Sequence, residues 1–186
     1  MNFFPAPSFL HIPEGICIEC HKECDGKMKI MENHPTASAK IAGSAKYPHL
    51  RGRVDFYDTF GGTVLVASIY GITDINGKSS QQFHGFHIHE GGSCSGTDQE
   101  PFANVDGHYQ SVKSQHPEHA GDLPPLLSNN GIAWMCVYTD RFYPEDVIGK
   151  TVIIHALPDD FHTQPSGASG EMIACGEIQA RENEIR

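Results

Sequence analysis

The chain has 186 residues, enough for one domain with a modest extension, and it carries 13 Lys and Arg against 23 Asp and Glu, a formal net charge of −10. That balance argues against a nucleic-acid partner and against an anionic membrane surface. No stretch approaches the roughly 20 apolar residues of a membrane span. Met1 to Glu14 has neither the basic start nor the apolar core of an export signal, so a cytoplasmic location is expected.

Residues 1–35 differ in character from the rest. They hold Cys17, Cys20 and Cys24, with His11, His21, Met28 and Met31 nearby. The Cys17-x-x-Cys20-His21-x-x-Cys24 spacing suits an extra site for zinc or Cu(I); a disulfide within the extension and free thiols are the other readings. Residues 36–180 then form a β-rich unit, followed by a polar tail, 181–186. Short runs rich in Val, Ile, Phe and Tyr predict strands over 37–44, 51–58, 63–70, 82–90, 131–140, 151–157 and 172–179. Gly61-Gly62 and Asn76-Gly77 supply turns between some of them.

A segment of about 40 residues, 91–130, separates the fourth and fifth of these strands. Loops that long inside a domain are usually functional or disordered. This one holds Cys94, His108, His116, His119 and Asp122, so an ion could order it where a hydrophobic core cannot. A shorter loop spans 158–171.

The chain has 12 histidines, and histidine is the commonest metal ligand. In Gly85-Phe86-His87-Ile88-His89-Glu90, strand alternation sends His87 and His89 to one face. In Thr151-Val152-Ile153-Ile154-His155, a histidine ends an apolar strand. Three loop imidazoles and the Asp122 carboxylate would satisfy tetrahedral zinc, while copper favours imidazole nitrogen in a tetragonal arrangement.

These segments resemble the copper/zinc superoxide dismutase family, in its bacterial form. Gly107-His108-Tyr109, His119-Ala120-Gly121-Asp122-Leu123, Asp159, Gly167-Ala168-Ser169-Gly170 and Ile173-Ala174-Cys175-Gly176 complete the likeness, in the family's order and over roughly residues 37–179. The resemblance implies an eight-stranded Greek-key β-barrel, an immunoglobulin-like sandwich with long metal-binding loops. It implies copper on His87, His89, His108 and His155, and zinc on His108, His116, His119 and Asp122, with His108 bridging. His116 follows His108 by the family's interval, although its gap to His119 is shorter than in the best-known members. Asp159 would hold one ligand of each metal, and Cys94 and Cys175 would form the family disulfide. The implied activity is dismutation of superoxide to oxygen and hydrogen peroxide by a monomer or homodimer, with His108 also the proton source.

One position departs from the pattern. Where the family places a guiding arginine, two residues after the Gly167–Gly170 turn, this chain has Met172. Without local positive charge an anion approaches more slowly, and a reduced rate is expected. A non-catalytic copper store or delivery module is the alternative, which the Cys- and Met-containing extension would suit. Of the remaining residues, Cys136 reads as a buried, inert thiol, and His34, His49 and His84 as surface residues. His162 would sit near the site mouth and supply some of the missing charge.

Overall fold

In the computed structural model, residues 34–74 and 76–181 are described. Cys17, Cys20 and Cys24 lie outside them, as does the tail from residue 182. Among the described residues the regular elements are nearly all strands: β1 Ala37–Gly43, β2 Arg51–Thr59, β3 Gly62–Tyr70, β4 Phe83–His84, β5 Phe86–His89, β6 Leu126–Leu127, β7 Ile132–Thr139, β8 Thr151–His155 and β9 Met172–Ala180. A short helix, α1 (Pro144–Val147), and a turn of 3-10 helix at Ala103–Val105 interrupt the loops. No helix among the described residues is long and apolar enough to cross a membrane.

Seven strands make one antiparallel sheet in the order β5-β8-β9-β1-β2-β3-β7, and β4 pairs with β6. The sheet curls around a core that includes Phe56, Leu65, Ile69, Phe86, Ile88, Ile154 and Ile173, all essentially inaccessible. Alternation explains how each strand divides its side chains. Along β2, Val54 and Phe56 are buried while Arg53 is exposed; along β3, Leu65, Ala67 and Ile69 are buried. Covering apolar area of this extent is the main favourable term in folding.

The fold is all-β and barrel-like, as expected, but its strands are divided differently from the expected eight. The predicted strand over 82–90 breaks at Gly85 into β4 and β5. The Gly85 N–H donates to Leu157 O and its carbonyl accepts from His155 N (2.8 and 2.9 Å), so the chain leaves its β6 partner for β8 there. A Cβ on Gly85 would crowd Ser169 Oγ at 2.5 Å, which is why this crossing point is glycine.

Candidate metal centre

Two antiparallel strands and two loops build the site. β5 presents His87 and His89, and β8, its partner, ends in His155. The long loop returns over this face: His108 bridges to His89 and Asp122 bridges to His87 by isolated strand-type pairing. Gly121 makes that return possible, because its N–H and carbonyl bond Tyr109 O and Ile88 N while a Cβ would strike the Ile88 carbonyl. From the other side Arg141 donates to the carbonyls of Pro117, His119 and Asp122 at 3.1–3.2 Å, gathering the loop with one guanidinium. The Cys94–Cys175 disulfide ties the start of the loop to β9.

Two clusters result, His87, His89, His108 and His155, and His108, His116, His119 and Asp122, with His108 common to both. Within each, the donor atoms lie within 4.8 Å of one another. All six histidines are at most 5% exposed.

Most of the rings are held by a hydrogen bond on one nitrogen. His87 Nε2 bonds Asp159 Oδ2 (2.7 Å) and His116 Nε2 bonds Asp159 Oδ1 (2.9 Å). His89 Nδ1 bonds the Asp106 carbonyl (2.8 Å), His155 Nδ1 the Gly170 carbonyl (3.1 Å), and His108 Nδ1 the Asp122 carboxylate (2.6 Å). Asp106 adopts φ 57, seldom taken by a residue other than glycine, and turns its carbonyl toward His89.

The other nitrogens are buried without a hydrogen-bond partner: His87 Nδ1, His89 Nε2, His108 Nε2, His116 Nδ1, His119 Nδ1 and His155 Nε2. Orphaned polar atoms are costly in a folded interior, and six together demand an explanation. Their placement supplies one. The Nδ1 atoms of His116 and His119 each lie 3.1 Å from Asp122 Oδ2 without hydrogen-bond alignment. Ligands of a tetrahedral zinc with bonds near 2 Å stand about 3.3 Å apart. The donor set thus fits a cation centred between them, and four convergent imidazoles fit copper.

Burial reinforces this. It holds the pKa of the His89 and His155 imidazoles at about 3, so both are neutral with a free lone pair at pH 7. His87 is likewise pushed down by burial, partly opposed by Asp159. Burial works to raise the Asp122 and Asp159 carboxyls, yet the surrounding imidazoles, chiefly His108 and His87 respectively, bring both to about 2. Two anionic carboxylates among imidazoles, with those of His89 and His155 neutral, suit a divalent cation.

Outside the clusters opens a cavity of about 620 Å³ lined by His89, His108, His155 and Met172 together with Glu100, Asp106 and Glu171. Among the described residues, no Lys or Arg lines it. Met172 is half-buried and stands opposite His155 in the β8–β9 ladder. Lys46 reaches the rim but is paired with Glu171 at 2.6 Å. His162 is exposed, with its ring on the Asp160 carbonyl, and does not line the cavity, so the charge expected of it is not delivered there.

The seven residues expected to hold copper and zinc all fall in the two clusters, His116 included, whereas the extra site expected on Cys17, Cys20 and Cys24 lies outside the described residues. Two expectations about other residues change. Cys136 is exposed, because Met135 and Val137 take the inward positions of β7. His84 is buried, with Nδ1 on the His155 carbonyl (2.9 Å) and Nε2 between Ser80 and Ser128. Its nitrogens are both satisfied, which separates it from the metal set. Gly167, read from the sequence only as the start of the Gly167–Gly170 turn, also belongs to the site: at φ 67 it lies so close to Asp159 and His116 that a Cβ would overlap the carboxylate.

The fold and site together define an all-β metal-site protein whose two adjoining clusters share one imidazole. A profile of the family "Copper/zinc superoxide dismutase (SODC)" matches residues 50–178. The chain belongs to that family. It is 34% identical to the superoxide dismutase [Cu-Zn] of Deinococcus radiodurans over 115 residues, 52% of this chain and 63% of that protein. To the superoxide dismutase [Cu-Zn] of Neisseria meningitidis it is 34% identical over 137 residues, 63% of this chain and 73% of that protein. The chain thus spans less than two thirds of the first of these relatives. In three dimensions it resembles the Cu/Zn superoxide dismutase from Brucella abortus, with TM-score 0.64, 26% identity, and 77% and 99% of the two chains covered. A SOD-like protein from Bacillus subtilis, solved as a double mutant, gives TM-score 0.63 and 26% identity over 77% and 97% of the two chains.

Proposed function

We propose that this chain dismutates superoxide at a copper–zinc centre, and does so more slowly than a member with an arginine at position 172. The observation that carries this reading is the set of six buried, unpartnered imidazole nitrogens converging on two points that share His108. His87, His89, His108 and His155 would hold copper; His108, His116, His119 and Asp122 would hold zinc. Copper supplies one-electron redox chemistry when bound, and zinc a redox-inert positive charge.

The chain's own residues do the rest. Two superoxide anions and two protons give one dioxygen and one hydrogen peroxide, so the site must admit an anion and deliver protons. His108 is placed to deliver them. Its Nδ1 sits in the cluster of Asp122 while Nε2 faces the other cluster and the cavity, where it can take up and release a proton. Asp159 fixes the rings of His87 and His116 at once, and so keeps the two clusters in register. Admission of the anion is poorly served, because the rim carries Glu100, Asp106, Glu171 and Met172, and no Lys or Arg among the described residues lines it.

Metal analysis and a dismutation assay on protein loaded with copper and zinc test the proposal. Stoichiometric copper and zinc with turnover abolished in His155→Ala support it; full metal content without turnover favours the second reading, a non-catalytic copper-binding protein. That alternative draws on Met172, whose thioether at the cavity wall is a soft neighbour for copper.

A further inference from the structure

The cavity over the first cluster has the size and the sign of charge that suit a cation. Its wall includes His89, His108 and His155, each at most 5% exposed and each with a buried Nε2 that has no hydrogen-bond partner. Those lone pairs point to a cation whatever surrounds the mouth. Histidines aside, every ionisable side chain lining the cavity among the described residues is a carboxylate: Glu100, Asp106 and Glu171. Glu171 is paired with Lys46 at 2.6 Å, which leaves Glu100 and Asp106, both exposed, as the uncompensated charges. Asp106 also holds His89 in place through its carbonyl, 2.8 Å from Nδ1, so one residue orients a ligand and brings a carboxylate to the approach. The volume is about 620 Å³. Six waters take about 180 Å³ at liquid density, so a hydrated metal ion can enter with its water shell and shed it inside. Superoxide, an ion of two atoms, needs no such room.

We propose that this cavity is the vestibule through which the chain acquires copper, with Glu100 and Asp106 drawing the hydrated cation toward His89 and His155. The proposal rests on the assignment of copper to that cluster. A cleft lined by one sign of charge concentrates ions of the other sign and raises their on-rate by about 10–10³-fold. The carboxylates that slow the approach of superoxide therefore speed the approach of the metal. Met172 takes part by carrying no charge: a cation at that position, opposite His155 in the β8–β9 ladder, would repel the incoming ion. The mouth of this chain thus favours filling the site over feeding it with anions.

The test is the rate of copper uptake by the full chain holding one equivalent of zinc and no copper. A Cys17→Ser, Cys20→Ser, Cys24→Ser, Cys136→Ser background keeps copper(II) sulfate from oxidising thiols. Stopped-flow mixing, followed by the visible absorption of bound copper, gives the second-order rate constant. It should fall several-fold as ionic strength rises from about 10 to 150 mM. Glu100→Gln with Asp106→Asn should lower it on the order of 10-fold at the lower ionic strength and much less at the higher. Asparagine tolerates the backbone angle of Asp106 and keeps the carbonyl that holds His89. Met172→Arg should act in the same direction. Copper bound at equilibrium should be unchanged in each, which shows that the variants fold. Glu145→Gln with Asp58→Asn removes the same charge outside the cavity and should slow uptake less than about 2-fold. Equal rates for the parent and the Glu100–Asp106 variant, at full copper content, overturn the proposal. So does equal slowing in the two double variants, because net charge rather than the cavity would then set the rate. A chain that takes up no copper at equilibrium overturns the copper assignment itself, and the vestibule with it.

Discussion

Asp159 and His116 are joined by a 2.9 Å hydrogen bond from His116 Nε2 to Asp159 Oδ1, and the second oxygen of the same carboxylate holds His87 Nε2 at 2.7 Å. One buried side chain therefore orients a ring in each cluster. Asp159→Ala should leave the strands intact but lower zinc affinity on the order of 10–100-fold, as expected when a ligand loses the group that orients it. Competition against a chromophoric chelator measures this, and unchanged affinity would mean that Asp159 does not orient the ligands.

Gly167 makes that carboxylate possible. Its φ of 67 is strained for any residue with a Cβ, and the added carbon would overlap Asp159 and press on His116. Gly167→Ala should cost about 1–3 kcal/mol of stability through backbone strain and displaced contacts. Zinc affinity should fall in parallel, since the loop could yield only by moving Asp159. A denaturant titration with a zinc-binding curve tests both at once.

Much of this site is legible in residue type and spacing alone. The alternation of His87 and His89, the apolar strand ending in His155, and the cluster of His108, His116, His119 and Asp122 in a long loop all point to metal, because ligand chemistry leaves its mark there. The family resemblance then assigns copper and zinc. What escapes is whatever depends on tertiary approach. His84 reads like any polar residue near the start of a strand, and only the packing of Ser80, Ser128 and the His155 carbonyl reveals that it is buried and bonded at both nitrogens. Cys136 lies in a run that is apolar on both faces, so alternation could not decide which face met the core. The carbonyls of Asp106 and Gly170 carry no residue-type signal, since every residue has a carbonyl.

His84 has a measurable consequence. Burial pushes its pKa below the usual 6.5, so the unfolded chain takes up the proton more readily than the folded one. The stability it contributes is complete above pH 6.5 and is lost as pH falls below that value toward the lowered pKa. His84→Gln removes the titration and should flatten the decline in stability between about pH 6.5 and 5 relative to the parent protein. His84→Ala should instead cost about 2–4 kcal/mol at neutral pH, because it leaves a void and strands its buried partners. Chemical denaturation across this pH range separates the two outcomes, and parallel curves for the parent and His84→Gln would refute the assignment.

The mouth of the cavity sets the last expectation. An anion approaching the copper cluster passes Glu100, Asp106 and Glu171, while Lys46 is neutralised by its 2.6 Å pair with Glu171. Repulsion of like charges is screened by salt, whereas attraction is weakened by it. The parent protein should therefore show a dismutation rate that rises or stays level as ionic strength goes from about 10 to 150 mM. Met172→Arg places a cation beside His155 and should raise the rate constant on the order of 10-fold and reverse the sign of its salt dependence. Glu171→Gln removes one carboxylate and frees Lys46, so it should act in the same direction by a smaller factor. Copper content must match across the three proteins for the comparison to hold. Steering lost at one residue should be recoverable at that residue, so Met172→Arg with the parent's rate and salt slope would mean that the approach of the anion is not what limits this site.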